Sequence, residues 1–148
     1  LRNTVTAAAL LLATFAATGC DEEASQPEQI EAPAYQDGTV LLTDQGAFAV
    51  ELWNEDGEAS VGDNTFVLRI CMADTDQGIP GADIDFAAFM PDADVAIDSE
   101  PAITYLGDGQ YELSNVDLSE AGTWQFDIDI ASTGGVEESV HIAFQLAE

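Results

Sequence analysis

The stretch Trp124-Gln125-Phe126-Asp127-Ile128-Asp129-Ile130 alternates large apolar side chains with polar ones. On a β-strand, successive side chains point to opposite faces, so this stretch predicts a strand with one buried and one hydrated face. Strict alternation favours antiparallel sheets, because strands of parallel sheets are usually covered on both faces. The same period of two recurs at residues 48–52, 66–72, 84–88 and 140–146.

Working outward from these stretches, glycine-containing turns separate a series of short strands, and no segment has the pattern of an amphipathic helix. This number and spacing of strands predict an all-β fold, an immunoglobulin-like antiparallel β-sandwich of seven or eight strands in a single domain spanning residues 39–148. The predicted strands lie near residues 39–43, 47–53, 65–73, 82–89, 102–106, 110–116, 123–131 and 137–146.

The charge of the chain excludes several classes of function. Its 148 residues carry 29 acidic side chains and 2 basic ones, for a formal net charge of −27. Nucleic acids are bound by neutralising their phosphates with Lys and Arg, so we predict no nucleic-acid partner. Hydrophobic residues make up 47% of the chain, which is enough for a real core and disfavours a wholly disordered acidic protein.

The N-terminal residues have the pattern of an export signal. Arg2 precedes an apolar run over residues 5–17, shorter than the roughly 18–20 residues that span a bilayer. The following Thr18-Gly19-Cys20 resembles the lipobox of bacterial lipoproteins, which implies a signal peptide over residues 1–19, acylation of Cys20 and a lipid anchor in a bacterial membrane, on its periplasmic or cell-surface face. Ordinary cleavage that leaves Cys20 free is the alternative.

The segment after the predicted signal peptide differs in composition from the segments on either side of it. Residues 20–38 start at Cys20, are acidic, contain two prolines and show no periodicity. Like charges and proline both extend a chain, so this segment is predicted to be a flexible tether that holds the domain away from the membrane. With Cys20 acylated, Cys71 would be the only free thiol, and no internal disulfide could form.

Several short motifs together resemble a known family. In their order and spacing they are similar to the YtkA-like domain of bacterial exported proteins and lipoproteins, over roughly residues 60–146. The resemblance implies an immunoglobulin-like fold and a non-catalytic accessory role, which in some members is linked to copper handling or cytochrome oxidase assembly. The motifs are Gly62-Asp63-Asn64, Ile79-Pro80-Gly81, Met90-Pro91, Gly107-x-Gly109-x-Tyr111 and Gly122-x-Trp124-x-Phe126.

Copper is the cofactor that this resemblance implies, but the chain departs from the family pattern at the expected ligands. Family members often follow Met-Pro with a further Met and a His, soft or borderline ligands that suit copper. Here Met90-Pro91 is followed by Asp92-Ala93-Asp94. Met90 is therefore the only copper ligand that the motif carries over, and His141 is predicted to face solvent.

Two acidic loops offer an alternative site for calcium, which prefers oxygen ligands. Asp74 and Asp76 precede Gly78 as in part of a calcium loop, although the closing Glu of an EF-hand is missing. Asp92 and Asp94 form a second cluster after Met90-Pro91. A hydrated surface loop is the other interpretation of each cluster.

A third group of carboxylates lies on predicted strands. Asp83 and Asp85 project from one face of their strand, as do Asp127 and Asp129 from theirs, so the four would share a patch if the strands were neighbours. Like charges repel, so either a cation lies among them or ambient salt screens them. Adaptation to high salt is the favoured explanation of the general acidity of the chain, and a dedicated cation site is the alternative.

No residues form a recognisable catalytic arrangement, and we predict that the chain is not an enzyme. Three functions stay open. The first is a YtkA-like accessory protein of the cell envelope. The second is a structural or adhesive module that binds an envelope protein through a sheet edge or the loop over residues 91–101. The third is a carboxylate-based binder of divalent cations such as calcium.

Overall fold

The computed structural model describes residues 32–148, and the predicted signal peptide and Cys20 lie outside this range. All regular structure in the described part of the chain is β-strand, so it contains no helix long and apolar enough to cross a membrane. The strands are β1 (Thr39–Leu42), β2 (Phe48–Asn54), β3 (Gly62–Met72), β4 (Asp83–Met90), β5 (Val95–Ala96), β6 (Ala102–Gly107), β7 (Gln110–Leu118), β8 (Gly122–Ala131) and β9 (Glu137–Leu146).

The nine strands form two antiparallel sheets that pack face to face. One sheet has five strands in the order β1-β2-β3-β7-β6, and the other has four in the order β5-β4-β8-β9. This confirms the predicted antiparallel β-sandwich, and each predicted strand is present with its bounds shifted by a few residues at most. The additional strand is β5, whose two residues are too few to show any periodicity in the sequence.

The inward-facing residues of both sheets meet in one hydrophobic core. Phe126 lies at its centre, fully buried, with edge-to-face contacts to Phe66, Phe86 and Phe144 at ring-centroid distances of 5.2, 5.0 and 5.0 Å. Because Phe66 belongs to the five-stranded sheet and the others to the four-stranded sheet, the cluster joins the two layers. Aromatic pairs of this kind contribute about 0.5–1.5 kcal/mol each beyond their buried area.

The long loop between β3 and β4 is fixed from inside the core by Tyr111. Its hydroxyl donates to the carbonyl of Ile79 at 2.6 Å and accepts from the N–H of Ala82 at 2.9 Å. Earlier in the loop, Gly78 packs directly against Gly109 in the turn between β6 and β7. The loop is therefore held at two points and is an integral part of one end of the sandwich.

Part of the segment assigned to the tether contacts the sandwich. The carbonyl of Pro33 accepts from Gln145 N–H at 2.7 Å, and the N–H of Tyr35 donates to the carbonyl of Gln145 at 3.2 Å. The Tyr35 ring also packs edge-on against Phe66 and Phe144. The domain therefore extends to about residue 33, because a half-buried aromatic ring and a short parallel bridge bind this segment to β9.

Candidate functional site

Acidic residues from three strands and one turn lie at one end of the four-stranded sheet. They line a cleft of about 490 Å³ together with Gln45 and Ser139. We call this feature the acidic cleft, and its acidic residues are Asp44, Asp83, Asp85, Asp129, Glu137 and Glu138.

The register between β4 and β8 creates the most repulsive part of the cleft. Asp85 lies directly opposite Asp129, and Asp83 lies opposite Ala131. The prediction that the paired carboxylates of these strands share a patch is thus confirmed, because the strands are neighbours. Three of the four line the cleft, whereas Asp127 lies farther along β8. Like charges directly opposite one another on an antiparallel pair are destabilising.

Glu138 differs from the other acidic residues because it is buried. Its side chain lies on the same face of β9 as Val140 and only 8% of its surface is exposed. The carboxylate accepts hydrogen bonds from the Thr43 hydroxyl and from the N–H of Ala47, the latter at 3.1 Å. Hydrogen bonds to a charged acceptor compensate part of its desolvation. They also attach the turn between β1 and β2 to β9, which places Asp44 at the cleft.

The chemistry open to this cleft is the binding of positive charge. No three His, Cys, Asp or Glu residues within residues 32–148 are arranged so that they would hold a metal ion directly. Carboxylates spaced more widely than a first coordination sphere can still hold a hydrated cation, because Coulomb attraction acts through water at several ångströms. The cleft is therefore suited to a hydrated cation or to a cationic group of a partner.

His141 lies on the outer face of the same sheet. Its Nδ1 is 2.7 Å from Oδ1 of Asp127, the residue directly opposite it on β8, and its side chain is exposed as predicted. The hydrogen bond to Asp127 raises the pKa of His141. This contact holds the imidazole in one orientation, and the protonated form of the ring would partly offset the negative charge of this face.

Cys71 lies in a small polar cluster on the other sheet. Its thiol is buried and donates to Oδ1 of Asp76 at 3.3 Å, and Arg69 donates to the same oxygen at 3.0 Å. Burial raises the pKa of the Cys71 thiol, and the hydrogen bond to Asp76 raises it further. Because the thiolate is the nucleophile and the metal ligand, this thiol is poorly placed for either role.

Of the first predicted calcium pair, Asp74 and Asp76, only Asp76 belongs to this cluster. Asp76 forms an ion pair with Arg69, and the hydrogen bond from Arg69 holds the pKa of Asp76 below its usual range. Asp74 lies exposed in the adjoining turn. An approaching cation would compete with the guanidinium for the Asp76 carboxylate, so this loop offers less free negative charge than its sequence suggests.

The second predicted pair lies in the turn between β4 and β5. Asp92 and Asp94 are both exposed there, and Asp94 has a positive φ of 53°. Asp94 lines a shallow cleft with Met90, but the Met90 side chain is only 7% exposed and belongs to the hydrophobic core. The turn is a hydrated acidic loop above a buried methionine.

The candidate copper donors do not converge. Met90 lies on the inner face of the four-stranded sheet and His141 on its outer face, so the sheet itself separates them. The other soft side chains of residues 32–148, Cys71 and Met72, belong to the five-stranded sheet. The described residues therefore do not form the soft ligand set that the family resemblance implies, and Met90 as a copper ligand stays a prediction.

Sequence reasoning missed three acidic residues of the cleft, Asp44, Glu137 and Glu138. A signal for Glu138 was present, because the alternation of β9 extended by one step from Val140 places a Glu on the apolar face. No comparable signal existed for Asp44, whose position depends on how the turn after β1 contacts β9. The N–H of Asp44 donates to the carbonyl of Ser139 at 2.9 Å, a contact between residues far apart in the sequence.

Comparison with known proteins agrees with this fold. A copper-bound variant of FetP from uropathogenic Escherichia coli strain F11 superposes with a TM-score of 0.54 and 12% identity, covering 76% of this chain and 97% of FetP. FetP in its as-isolated form gives a TM-score of 0.53 and 12% identity, over 76% of this chain and 95% of that one. No curated protein sequence matches the chain. The family model described as YtkA-like matches residues 43–129, more than half of the chain, and the chain therefore belongs to the YtkA-like family.

Proposed function

We propose that this chain is a non-catalytic accessory protein of the cell envelope that acts by binding. The observation that carries the proposal is the match of residues 43–129 to the YtkA-like family, supported by a fold shared with FetP. The small residues before Cys20 support a lipid anchor at that position. Acylation would then hold a strongly acidic domain at a membrane whose negative surface would otherwise repel it.

Anchoring is tested by expressing the full chain in bacteria fed an alkyne-labelled fatty acid. We expect the label to appear on the wild-type chain and to be lost in Cys20→Ser, while Cys71→Ser keeps it. The cysteine at position 71 is the matched control because its buried thiol lies within a strand. A wild-type chain that is exported without label would contradict the lipid anchor but not the family assignment.

A copper-related role is the finer form of this proposal, and FetP supports it because one of its solved forms is copper-bound. In this chain the fit is incomplete, since Met90 is in the core and His141 is on the opposite face of its sheet. Competition of the protein with a chromophoric Cu(I) chelator is the direct test. A stoichiometric site that Met90→Leu weakens and His141→Gln does not would support copper at Met90. The absence of stoichiometric binding would overturn the copper role.

Binding of a divalent cation in the acidic cleft is a second candidate function. The specific observation is the direct opposition of Asp85 and Asp129, which a bound cation would relieve. A ligand at 100 times its dissociation constant stabilises the folded state by about 2.7 kcal/mol, so Ca²⁺ should raise the melting temperature at constant ionic strength. The double variant Asp85→Asn with Asp129→Asn should abolish this rise.

The matched control removes an equal charge from the other exposed acidic loop. Asp92→Asn with Asp94→Asn should leave the Ca²⁺-dependent rise unchanged if the cation binds in the acidic cleft. If this control variant instead loses the Ca²⁺-dependent rise in melting temperature, the cation binds in the loop between β4 and β5. An equal rise with NaCl at the same ionic strength would show that screening alone accounts for the effect, and would refute a dedicated cation site.

A further inference from the structure

Strand β6 is an exposed edge strand of six residues that carries no charge. Five of its six residues, Ala102 to Leu106, are exposed along the edge of the five-stranded sheet. Its sequence Ala-Ile-Thr-Tyr-Leu-Gly has no acidic residue in a protein whose net charge is −27. Three of its side chains are large and apolar, and the exposed fractions of Ile103, Tyr105 and Leu106 are 38%, 44% and 51%.

The exposure of β6 results from the unequal width of the two sheets. Ile103 and Tyr105 lie opposite Leu113 and Tyr111 on β7, which are both buried, so their side chains point to the inner face. The opposite sheet ends there in β5, which has only two residues. The opposite sheet therefore leaves the inner face of β6 uncovered, and this face is an exposed apolar surface. On it, the rings of Tyr105 and Tyr111 pack with their centroids 5.0 Å apart.

The other sheet edges in the described residues are short or partly covered. Strand β1 has four residues and contacts β9 of the opposite sheet, and β5 has two. Strand β9 is hydrogen-bonded at Gln145 by Pro33 and Tyr35, and at Ser139 by Asp44. An exposed, apolar edge strand is a template for pairing with another strand. Among these edges, β6 alone combines length, exposure and apolar side chains.

We propose that β6 pairs antiparallel with β6 of a second copy of this chain, which would join two five-stranded sheets into one continuous sheet. Charge is the reason to favour a second copy. A cationic partner would be attracted to the acidic faces rather than to a neutral strand, whereas two equally acidic copies approach with least repulsion where neither carries a charge. Self-pairing about a two-fold axis also needs no second, complementary surface.

The expected contacts follow from this symmetry. An antiparallel pair centred on Tyr105 places Tyr105 of one copy opposite Tyr105 of the other, and Thr104 opposite Leu106. Asp108, which follows the strand, falls opposite Ala102 and not opposite another carboxylate. The dimer therefore buries apolar side chains without opposing like charges. The remaining long-range repulsion between the copies is screened by salt, because the Debye length falls from about 8 Å at physiological ionic strength to about 3 Å at 1 M.

The test measures the mass of the full chain, expressed for export with Cys20→Ser, by sedimentation equilibrium across a range of concentrations at low and molar NaCl. We expect a monomer–dimer equilibrium whose dissociation constant falls at least tenfold in molar salt. Thr104→Asp places two carboxylates beside the symmetry axis and should weaken the dimer at least tenfold. The uncharged variant Thr104→Asn should retain the dimer. Because Asn and Asp have nearly the same shape, the comparison separates the effect of charge from that of side-chain shape.

The structure offers a matched control at the other edge of the same sheet. Val40 in β1 is exposed and lies opposite Glu51, just as Thr104 lies opposite Glu112. Val40→Asp should therefore leave the dimer intact, and Leu106→Asp should weaken it as Thr104→Asp does. If Thr104→Asp and Val40→Asp dimerise equally well, β6 is not the interface. A chain that stays monomeric at all salt concentrations overturns the proposal. The β6 edge would then be available for pairing with a strand of another protein. Neither result affects the proposed accessory function.

Discussion

Replacing Gly109 with alanine should remove a large share of the stability of the domain. An added Cβ at this position would lie 2.3 Å from the carbonyl oxygen of Ile70 and 2.7 Å from Cα of Gly78. Both neighbours are backbone atoms, which cannot move aside as the end of a flexible side chain could. The Gly109 carbonyl also accepts from the N–H of Ile70 at 2.8 Å, so a displaced turn would strain this hydrogen bond.

Two contributions set the size of the loss. Gly109 has a φ of +77°, a left-handed conformation that costs an L-residue about 1–2 kcal/mol. Forcing additional atoms into a close-packed contact typically costs a further amount of about 1–3 kcal/mol. We therefore expect Gly109→Ala to reduce the free energy of unfolding by about 2–5 kcal/mol, out of a total that is typically about 5–15 kcal/mol.

Urea unfolding of the variant and of a matched control measures the two contributions separately. Gly135 has a similar φ of +83°, but a Cβ added there would meet no atom within 4 Å, so Gly135→Ala should lose only the conformational part. That part is about 1–2 kcal/mol. The difference between the two variants is the cost of the contact with Ile70 and Gly78. Equal losses would refute the close approach of the β3–β4 loop to the β6–β7 turn.

Three further results are expected. Tyr111→Phe should lower the free energy of unfolding by about 1–3 kcal/mol in urea titrations, since the carbonyl of Ile79 then loses a buried partner. The pKa of His141 is raised by Asp127, so the stabilisation from this pair should be complete below the unfolded pKa of about 6.5 and lost as the pH rises through the folded value. This contribution is measured as the difference in the free energy of unfolding between wild type and His141→Gln, from mildly acidic to mildly alkaline pH. A difference that does not change with pH would contradict the prediction. Cys71 should react with a thiol reagent at mildly alkaline pH far more slowly in the folded chain than in urea, because burial raises its pKa, and equal rates would contradict this.

The fold was largely predictable because one face of nearly every strand is buried. Alternation fixed the inward direction of residues such as Trp124, Phe126 and Val140, and these are among the most buried residues of the protein. It gave no signal where a strand is too short to alternate, as in β5. It also could not detect that Tyr35 packs on the core, because a single aromatic residue within an acidic, proline-containing segment carries no periodicity.

The candidate site was less predictable because alternation determines faces and not neighbours. The carboxylates of Asp85 and Asp129 are far apart in the sequence, and they face each other only because β4 pairs with β8. Alternation itself separates His141 from Met90, because Met90 falls on the inner face of β4 and His141 on the outer face of β9. Long-range pairing thus decides which carboxylates the acidic cleft gathers, whereas alternation decides that these two copper donors do not meet.

The placement of charge also determines whether the two proposed binding surfaces can operate together. The acidic cleft includes Asp44 in the turn after β1, at one edge of the five-stranded sheet, whereas β6 forms the opposite edge. A dimer through β6 would therefore leave the acidic cleft of each copy open. A divalent cation bound in each cleft would lower the charge of both copies and would ease their approach, although the effect would be small beside a net charge of −27. Cation binding and pairing should thus be nearly independent, since one depends on concentrated carboxylates and the other on a strand that has none.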